Sequence, residues 1–164
     1  MDKQFQLNFE SRLNATPEKI WQWMTSLEGI VTEMRPLMIM TSPKGVKNIL
    51  DVKIALGKPL FRSYIFLFGF IPADYSNLTL IELDDGNGFI EQSTMGSMKL
   101  WRHERRIIEM QQEPSISMLR DTLTFQPRFA SELIHWFVRR IFEHRHAVLR
   151  RWFNKSTYQT TARP

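Results

Sequence analysis

The sequence predicts an α+β fold in which a curved antiparallel sheet wraps around a long C-terminal helix. Three observations predict it: residues 4–13 alternate apolar with polar, residues 78–125 form strand-like segments joined by tight turns, and residues 130–153 carry one apolar helical face. The composition suits a packed core, with 43% hydrophobic and 24% charged residues in a chain of 164, enough for one domain. Residues 1–153 read as that domain and 154–164 as a polar C-terminal tail.

Phe5, Leu7, Phe9 and Leu13 fall on one side of the first segment, with Gln4, Gln6, Asn8, Glu10 and Arg12 on the other, which is the period of a half-buried strand. Asn14-Ala15-Thr16-Pro17-Glu18 then announces a helix: Thr16 can cap free N–H groups, Pro17 suits the first helical position, and Glu18 faces the positive end of the dipole. Ile20, Trp21, Met24 and Leu27 supply its apolar side; Gly29 is expected to break it before a second short helix reaches Met34. Leu37–Met40 can form a short strand, and Ser42-Pro43-Lys44-Gly45 is a turn. Pro59 to Phe68, bracketed by Gly57 and Gly69, has helix-like punctuation and strand-like aromatic content. The punctuation favours a short helix, with a strand as the alternative.

Leu78–Leu83 and Phe89–Met95 flank Asp84-Asp85-Gly86-Asn87-Gly88, a hairpin signal. Met98–Met110 and Ile116–Phe125 continue an antiparallel meander that Pro127 ends. The last helix, about 36 Å long at 1.5 Å per residue, aligns Ile134, Phe137, Val138, Ile141, Val148, Leu149 and Trp152.

Element order and local text together resemble the helix-grip fold of the SRPBCC superfamily, which includes START lipid-transfer domains, birch-pollen-allergen-like proteins and polyketide cyclases. Asn14-Ala15-Thr16-Pro17-Glu18-Lys19-Ile20-Trp21 is similar to that superfamily's opening strand-to-helix segment. Phe89-Ile90-Glu91-Gln92-Ser93, Trp101-Arg102-His103-Glu104-Arg105 and Asp121-Thr122-Leu123-Thr124-Phe125 resemble its bacterial ligand-binding branch. The resemblance implies a pocket between sheet and helix for a small hydrophobic or amphipathic molecule, such as a lipid, isoprenoid or polyketide-like compound. It implies no universal catalytic residue, so function rests on the site itself.

The load of twelve Phe, five Trp and nine Met can line such a pocket or fill an ordinary core. Strand parity puts Trp101, His103 and Arg105 on one face, Phe89 and Glu91 on another, and Asp121, Leu123 and Phe125 on a third. Charges on inward faces need partners. These residues, with Phe137, Ile141 and Arg145 of the helix, are the candidate ligand-binding set. A cyclase or dehydratase would use His103, Glu91, Asp121 and Arg105 for proton transfer and enolate stabilisation; a structural ion-pair network, or simply the solvent face of the strand, is the plainer alternative. Arg145 lies about 40° from Ile141 and about 20° from Ile134 and Trp152 on the helical wheel, so it is expected to point at the sheet and meet Asp121 or Glu91.

Other chemistry is excluded by what the text lacks. Cysteine is absent, which removes disulfides, thiolate ligands and a cysteine nucleophile. His144 and His146 lie about 200° apart on their helix, phosphate-binding glycine loops are missing, and carboxylates do not cluster, so no metal or other cofactor is expected. Residues 128–155 hold seven Lys/Arg and two Asp/Glu, hence the whole net charge of +5. Arg139, Arg140, Arg150 and Arg151 around Trp136 are either a solvated face or a surface for anionic membrane; nothing resembles a nucleic-acid module. Met1-Asp2-Lys3-Gln4 leads into the first strand without an apolar signal region, and the run Ile65–Ile71 is far short of the roughly 18–20 residues that span a bilayer. A cytoplasmic protein is expected, its three Asn-x-Ser/Thr tripeptides being chance.

Overall fold

The structure, a computed structural model, describes residues 3–155. The first alternating segment is β1 (Phe5–Leu13), with Phe5, Leu7, Ser11 and Leu13 buried. Pro17 opens α1 (Pro17–Thr25) at its first turn, but the Thr16 hydroxyl makes no capping bond. Gly29 does not break this helix; it lies within α2 (Leu27–Met34). The break falls at Ser26, whose Oγ accepts from the Gly29 amide at 3.0 Å, capping α2. A Cβ on Gly29 would collide with the Trp23 carbonyl, so glycine here permits the two helices to meet.

The segment read as a short helix at 59–68 is a strand. β2 (Met38–Met40) and β4 (Ile71–Asp84) pair antiparallel on either side of β3 (Pro59–Leu67). Gly57 and Gly69 adopt φ of 78° and 84°, so they punctuate turns rather than helix ends. The aromatic and β-branched content was the truer signal, because such side chains fit a pleated surface. β4 begins at Ile71 rather than Leu78, and the segment expected at 89–95 divides at Ser93 into β5 (Gly88–Gln92) and β6 (Thr94–Met95). β7 (Met98–Glu109) and β8 (Ser117–Pro127) complete the meander.

The strand order is β2-β3-β4-β5-β7-β8-β1, with β6 against β4 and every pairing antiparallel. The sheet is curled. α3 (Ser131–Lys155) packs on β1 and β8 at one side of it and against α2. Asn154 and Lys155, expected in the tail, continue α3; residues 156–164 lie outside the described residues. No helix among the described residues is long and apolar enough to cross a membrane.

The buried face of α3 is rotated from the expected stripe. Phe142, His146 and Phe153 are buried with Val138, Ile141 and Leu149, whereas Trp152 is 51% exposed and packs tilted against Trp23 of α1, ring centroids 4.4 Å apart. The core is in two parts. One joins α1, β7, β8 and the C-terminal half of α3 through Ile20, Met24, Ile107, Leu119 and Leu149. The other joins β1, β7, β8 and the N-terminal half of α3 through Leu7, Met98, Leu123, Phe125 and Ile141.

Leu149 is fully buried between α3 and the sheet. Leu149→Ala is expected to cost about 2–5 kcal/mol, whereas Leu133→Ala on the exposed face of the same helix should stay within about 0.5 kcal/mol; urea denaturation of the two variants measures the difference.

Candidate functional site

A layer of buried polar side chains separates the two apolar cores. Inward-facing positions on β7 run Trp101, His103, Arg105, Ile107, and on β8 they run Phe125, Leu123, Asp121, Leu119. Register sets Arg105 opposite Asp121 and Glu91 of β5 opposite His103, so these pairs are nearest neighbours across the strands. β1 contributes Ser11, α2 contributes Glu33, and α3 contributes Arg145 and His146 at the same level.

Arg105 is the centre. It is fully buried and forks onto Asp121, with Nε donating to Oδ1 at 2.7 Å and Nη2 to Oδ2 at 2.8 Å. The same guanidinium donates to Glu33 at 3.1 and 3.0 Å. Glu33 also accepts from Arg145 Nε at 2.9 Å and from Trp23 Nε1 at 3.0 Å. Arg145 therefore points inward and meets a carboxylate, as expected, but the carboxylate is Glu33. Asp121 is already filled by Arg105 and two imidazoles, and Glu91 bonds elsewhere. His103 Nε2 lies 2.8 Å from Asp121 Oδ1 and His146 Nε2 lies 2.9 Å from Oδ2.

A carboxylate only accepts, so each imidazole carries a proton on Nε2. His146 Nδ1 is 2.7 Å from the Ser11 hydroxyl, which itself accepts from Arg150 at 2.8 Å. His103 Nδ1 instead faces Glu91, at 3.7 Å from Oε2. Glu91 Oε1 accepts from the Ser93 hydroxyl at 2.6 Å.

The charges are mutually conditioned. Burial would raise the carboxyl of Asp121, but Arg105 above all, and His103, hold it well below the usual range. Burial likewise opposes the charge on Glu33, and Arg105 and Arg145 together still depress its pKa. Arg105 is more firmly protonated than a free arginine despite burial, because Asp121 and Glu33 flank it. Arg145 is the weak cation: burial and the nearby charge of Arg105 lower its pKa against the pull of Glu33.

The layer opens onto a cleft of two lobes. A larger lobe of about 300 Å³ lies between β2–β4, β7 and α3; a smaller one of about 100 Å³ lies between α1, α2 and β3–β5. Glu91, His103, Arg145, Met34 and Met40 face both. Trp101, Phe137 and Ile141 line the larger lobe; Phe89 and Arg105 line the smaller. Asp121, Leu123 and Phe125, expected in the ligand-binding set, line neither. All three are fully buried beneath α3, which covers β8 while leaving β3–β5 open. Six methionines, Met24, Met34, Met38, Met40, Met95 and Met98, line the two lobes.

Sequence reasoning missed Glu33 and His146. For Glu33 a signal existed: two inward arginines need two carboxylates, and Asp121 supplies one. His146 gave none, since a histidine beside an apolar stripe reads equally as surface. Arg139, Arg140, Arg150 and Arg151 are exposed and away from the two lobes, with Arg140 bridging to Glu143 and lying over Trp136.

A domain family of unknown function, DUF8410, matches residues 11–153. The chain belongs to this family. The match spans every member of the polar layer, from Ser11 of β1 to Arg150 of α3. No curated protein matches the chain by sequence. Among solved structures, this DUF8410 chain is similar to the Zhui aromatase/cyclase from Streptomyces sp. R1128, at TM-score 0.64 and 11% identity over 98% of each chain. It is similar to a START superfamily protein from Mycobacterium smegmatis at TM-score 0.63 and 8% identity, over 92% of this chain and 97% of that one. It also resembles Ara h 8.0201, at 0.59 and 9%, over 93% and 99%. The shared feature is the fold: this chain has the helix-grip α+β fold.

Two outcomes follow for stability. Arg105→Met strands Glu33 and Asp121 and should cost about 3–5 kcal/mol; Arg139→Ala should cost about 0–1; Arg145→Met should fall between, because Glu33 keeps Arg105 and Trp23. Chemical denaturation orders the three. The depressed carboxyls also give an acid dependence. Glu33 and Asp121 stabilise the fold fully above their ordinary values of 4.5 and 3.8, and the stabilisation is lost as pH falls below them towards the folded-state values. Tm should drop steadily from about pH 5 downward, and a flat Tm over that range would refute the role of the pair.

Proposed function

We propose that this chain binds a small apolar or amphipathic molecule, of lipid, isoprenoid or polyketide-like kind, in the two-lobed cleft between sheet and α3, as a carrier or sequestering protein. One observation carries the reading: six of the nine methionines of the chain face the cleft. Methionine is unbranched and polarisable, so it moulds to guests of irregular shape better than a tightly interlocked Leu/Ile wall. The larger lobe of about 300 Å³ lies at the small end of ligand pockets, and at roughly 30 Å³ per water-sized group it accommodates about ten heavy atoms. The polar trio Glu91, His103 and Arg145 gives a guest one fixed end.

A second reading, a cyclase- or dehydratase-like enzyme, is favoured by His103 alone. Its Nε2 is held by buried Asp121 and its Nδ1 faces the cleft beside Glu91, an orientation suited to taking a proton from a guest. Under that reading Arg105, sealed between Asp121 and Glu33, positions the acid/base groups and takes no proton. The basic face of α3 adds nothing to either reading, and the membrane role expected of it draws no support from the cleft.

Native mass spectrometry of protein purified from its own host should show a co-purified small molecule, and an apolar fluorescent probe should bind. Leu67→Trp, placed on the partly exposed wall of the larger lobe, should weaken the probe by about tenfold or more, equivalent to about 1.4 kcal/mol, while leaving the fold intact by circular dichroism. Unchanged probe affinity would refute the cleft as the site. Under the second reading the bound compound is converted on incubation with the native chain, to an isomer resolved by chromatography or to a product lighter by one water, and stays unaltered with His103→Gln.

A further inference from the structure

The wall of the larger lobe holds one buried hydroxyl with nothing to bond. Ser76 of β4 is 1% exposed, lines the lobe, and among the described residues its Oγ has no hydrogen-bond partner. Buried polar groups are almost always satisfied, so an orphan calls for an explanation. Its neighbours are all engaged: Ser63, opposite on β3, donates to the Thr41 carbonyl at 2.7 Å, Ser97 bonds to Asp74, and Ser93 to Glu91.

Two further atoms on this wall have capacity left. Arg145 spends Nε and Nη2 on Glu33, and among the described residues Nη1 has no acceptor. Glu91 Oε2 lies 3.7 Å from His103 Nδ1, too long for a hydrogen bond. The wall therefore offers a donor, an acceptor, and a hydroxyl that can act as either.

Charge narrows the guest further. The positive charge of Arg145 is already matched by Glu33, while Glu91 and Asp74 also face the lobe. A guest carboxylate would be desolvated beside carboxylates. A guest ammonium is drawn by Glu91 and Asp74, yet it only donates and must shed its water to enter a mainly apolar lobe. A neutral group that both donates and accepts meets neither penalty.

We propose that the larger lobe selects an uncharged amphipath carrying a hydroxyl group, which hydrogen-bonds to the unpaired Ser76 Oγ. This rests on the reading of the cleft as a ligand site. The test is calorimetric titration of the full chain with four guests of matched size: nonanol, nonanoate, nonylamine and methyl octyl ether. Nonanol is expected to bind tightest. Ser76→Ala, which removes an unpaired buried hydroxyl and so leaves folding unharmed, should weaken nonanol about three- to tenfold, the worth of one hydrogen bond, and leave the ether unchanged. Tighter binding of nonanoate or nonylamine, or equal binding of ether and nonanol, overturns the inference and leaves the cleft reading standing. Equal loss for nonanol and ether in Ser76→Ala also overturns it, since packing alone would then explain the effect. Failure of all four to bind removes the cleft reading as well.

Discussion

The fork of Arg105 onto Asp121 and Glu33 is the interaction on which the rest of the structure depends. Asp121 and Arg105 lie on neighbouring strands, whereas Glu33 comes from α2, seventy-two residues away from Arg105 in the chain. A guanidinium wholly out of water must have its donors matched, and two carboxylates are needed to use the fork fully. Any displacement of α2 along the sheet would strand Glu33 or Arg105. Arg145 then ties α3 to the same carboxylate. One carboxylate thus couples two helices and, through Arg105, the sheet. Such a layer is an expensive way to hold a core together, because apolar side chains of equal volume would often be at least as stable. What the charges supply is registry, and with it a fixed height for α2 and α3 above the strands.

That registry accounts for where space remains. α3 packs on β1 and β8, and His144 Nε2 donates to the Arg35 carbonyl just after α2 at 2.6 Å. The helix is thereby held over one side of a curled sheet, with β3–β5 on the other side left to the Met-rich lobes. The polar layer ends at the cleft in Glu91, His103 and Arg145, so the groups that set helix height also form the polar floor of the gap.

Much of this was legible in the sequence, and the failures have physical causes. Period-two alternation placed Glu91, His103, Arg105 and Asp121 inside, because strand faces are fixed by pleating. The wheel placed Arg145 inside for the analogous reason in a helix. Strand parity cannot, however, tell a residue facing empty space from one facing a helix. Leu123 and Phe125 share the inward face that parity gives a ligand, yet they are sealed under α3. Residues 59–68 failed because glycine marks turns around strands as readily as helix ends, and Gly57 and Gly69 were read as the latter. Glu33 was hidden because α2 has only eight residues, too few for one charged position to stand out from a periodic apolar face.

The hydrogen-bond pattern also limits what chemistry this layer could perform. The four acceptor positions of Asp121 are taken by Arg105 twice, His103 and His146, and the carboxyl is held far below the usual range by that company. It orients both imidazoles and is a poor stop for a migrating proton. The path from the cleft through His103, Asp121, His146 and Ser11 to Arg150 is continuous in hydrogen bonds, yet it is blocked at Asp121 as a proton wire. A proton taken from a guest by His103 Nδ1 would therefore leave on the cleft side, towards the guest or Glu91, and not through the layer. A net exchange of protons with solvent by way of the layer would need Asp121 to release Arg105, and with it the registry of both helices.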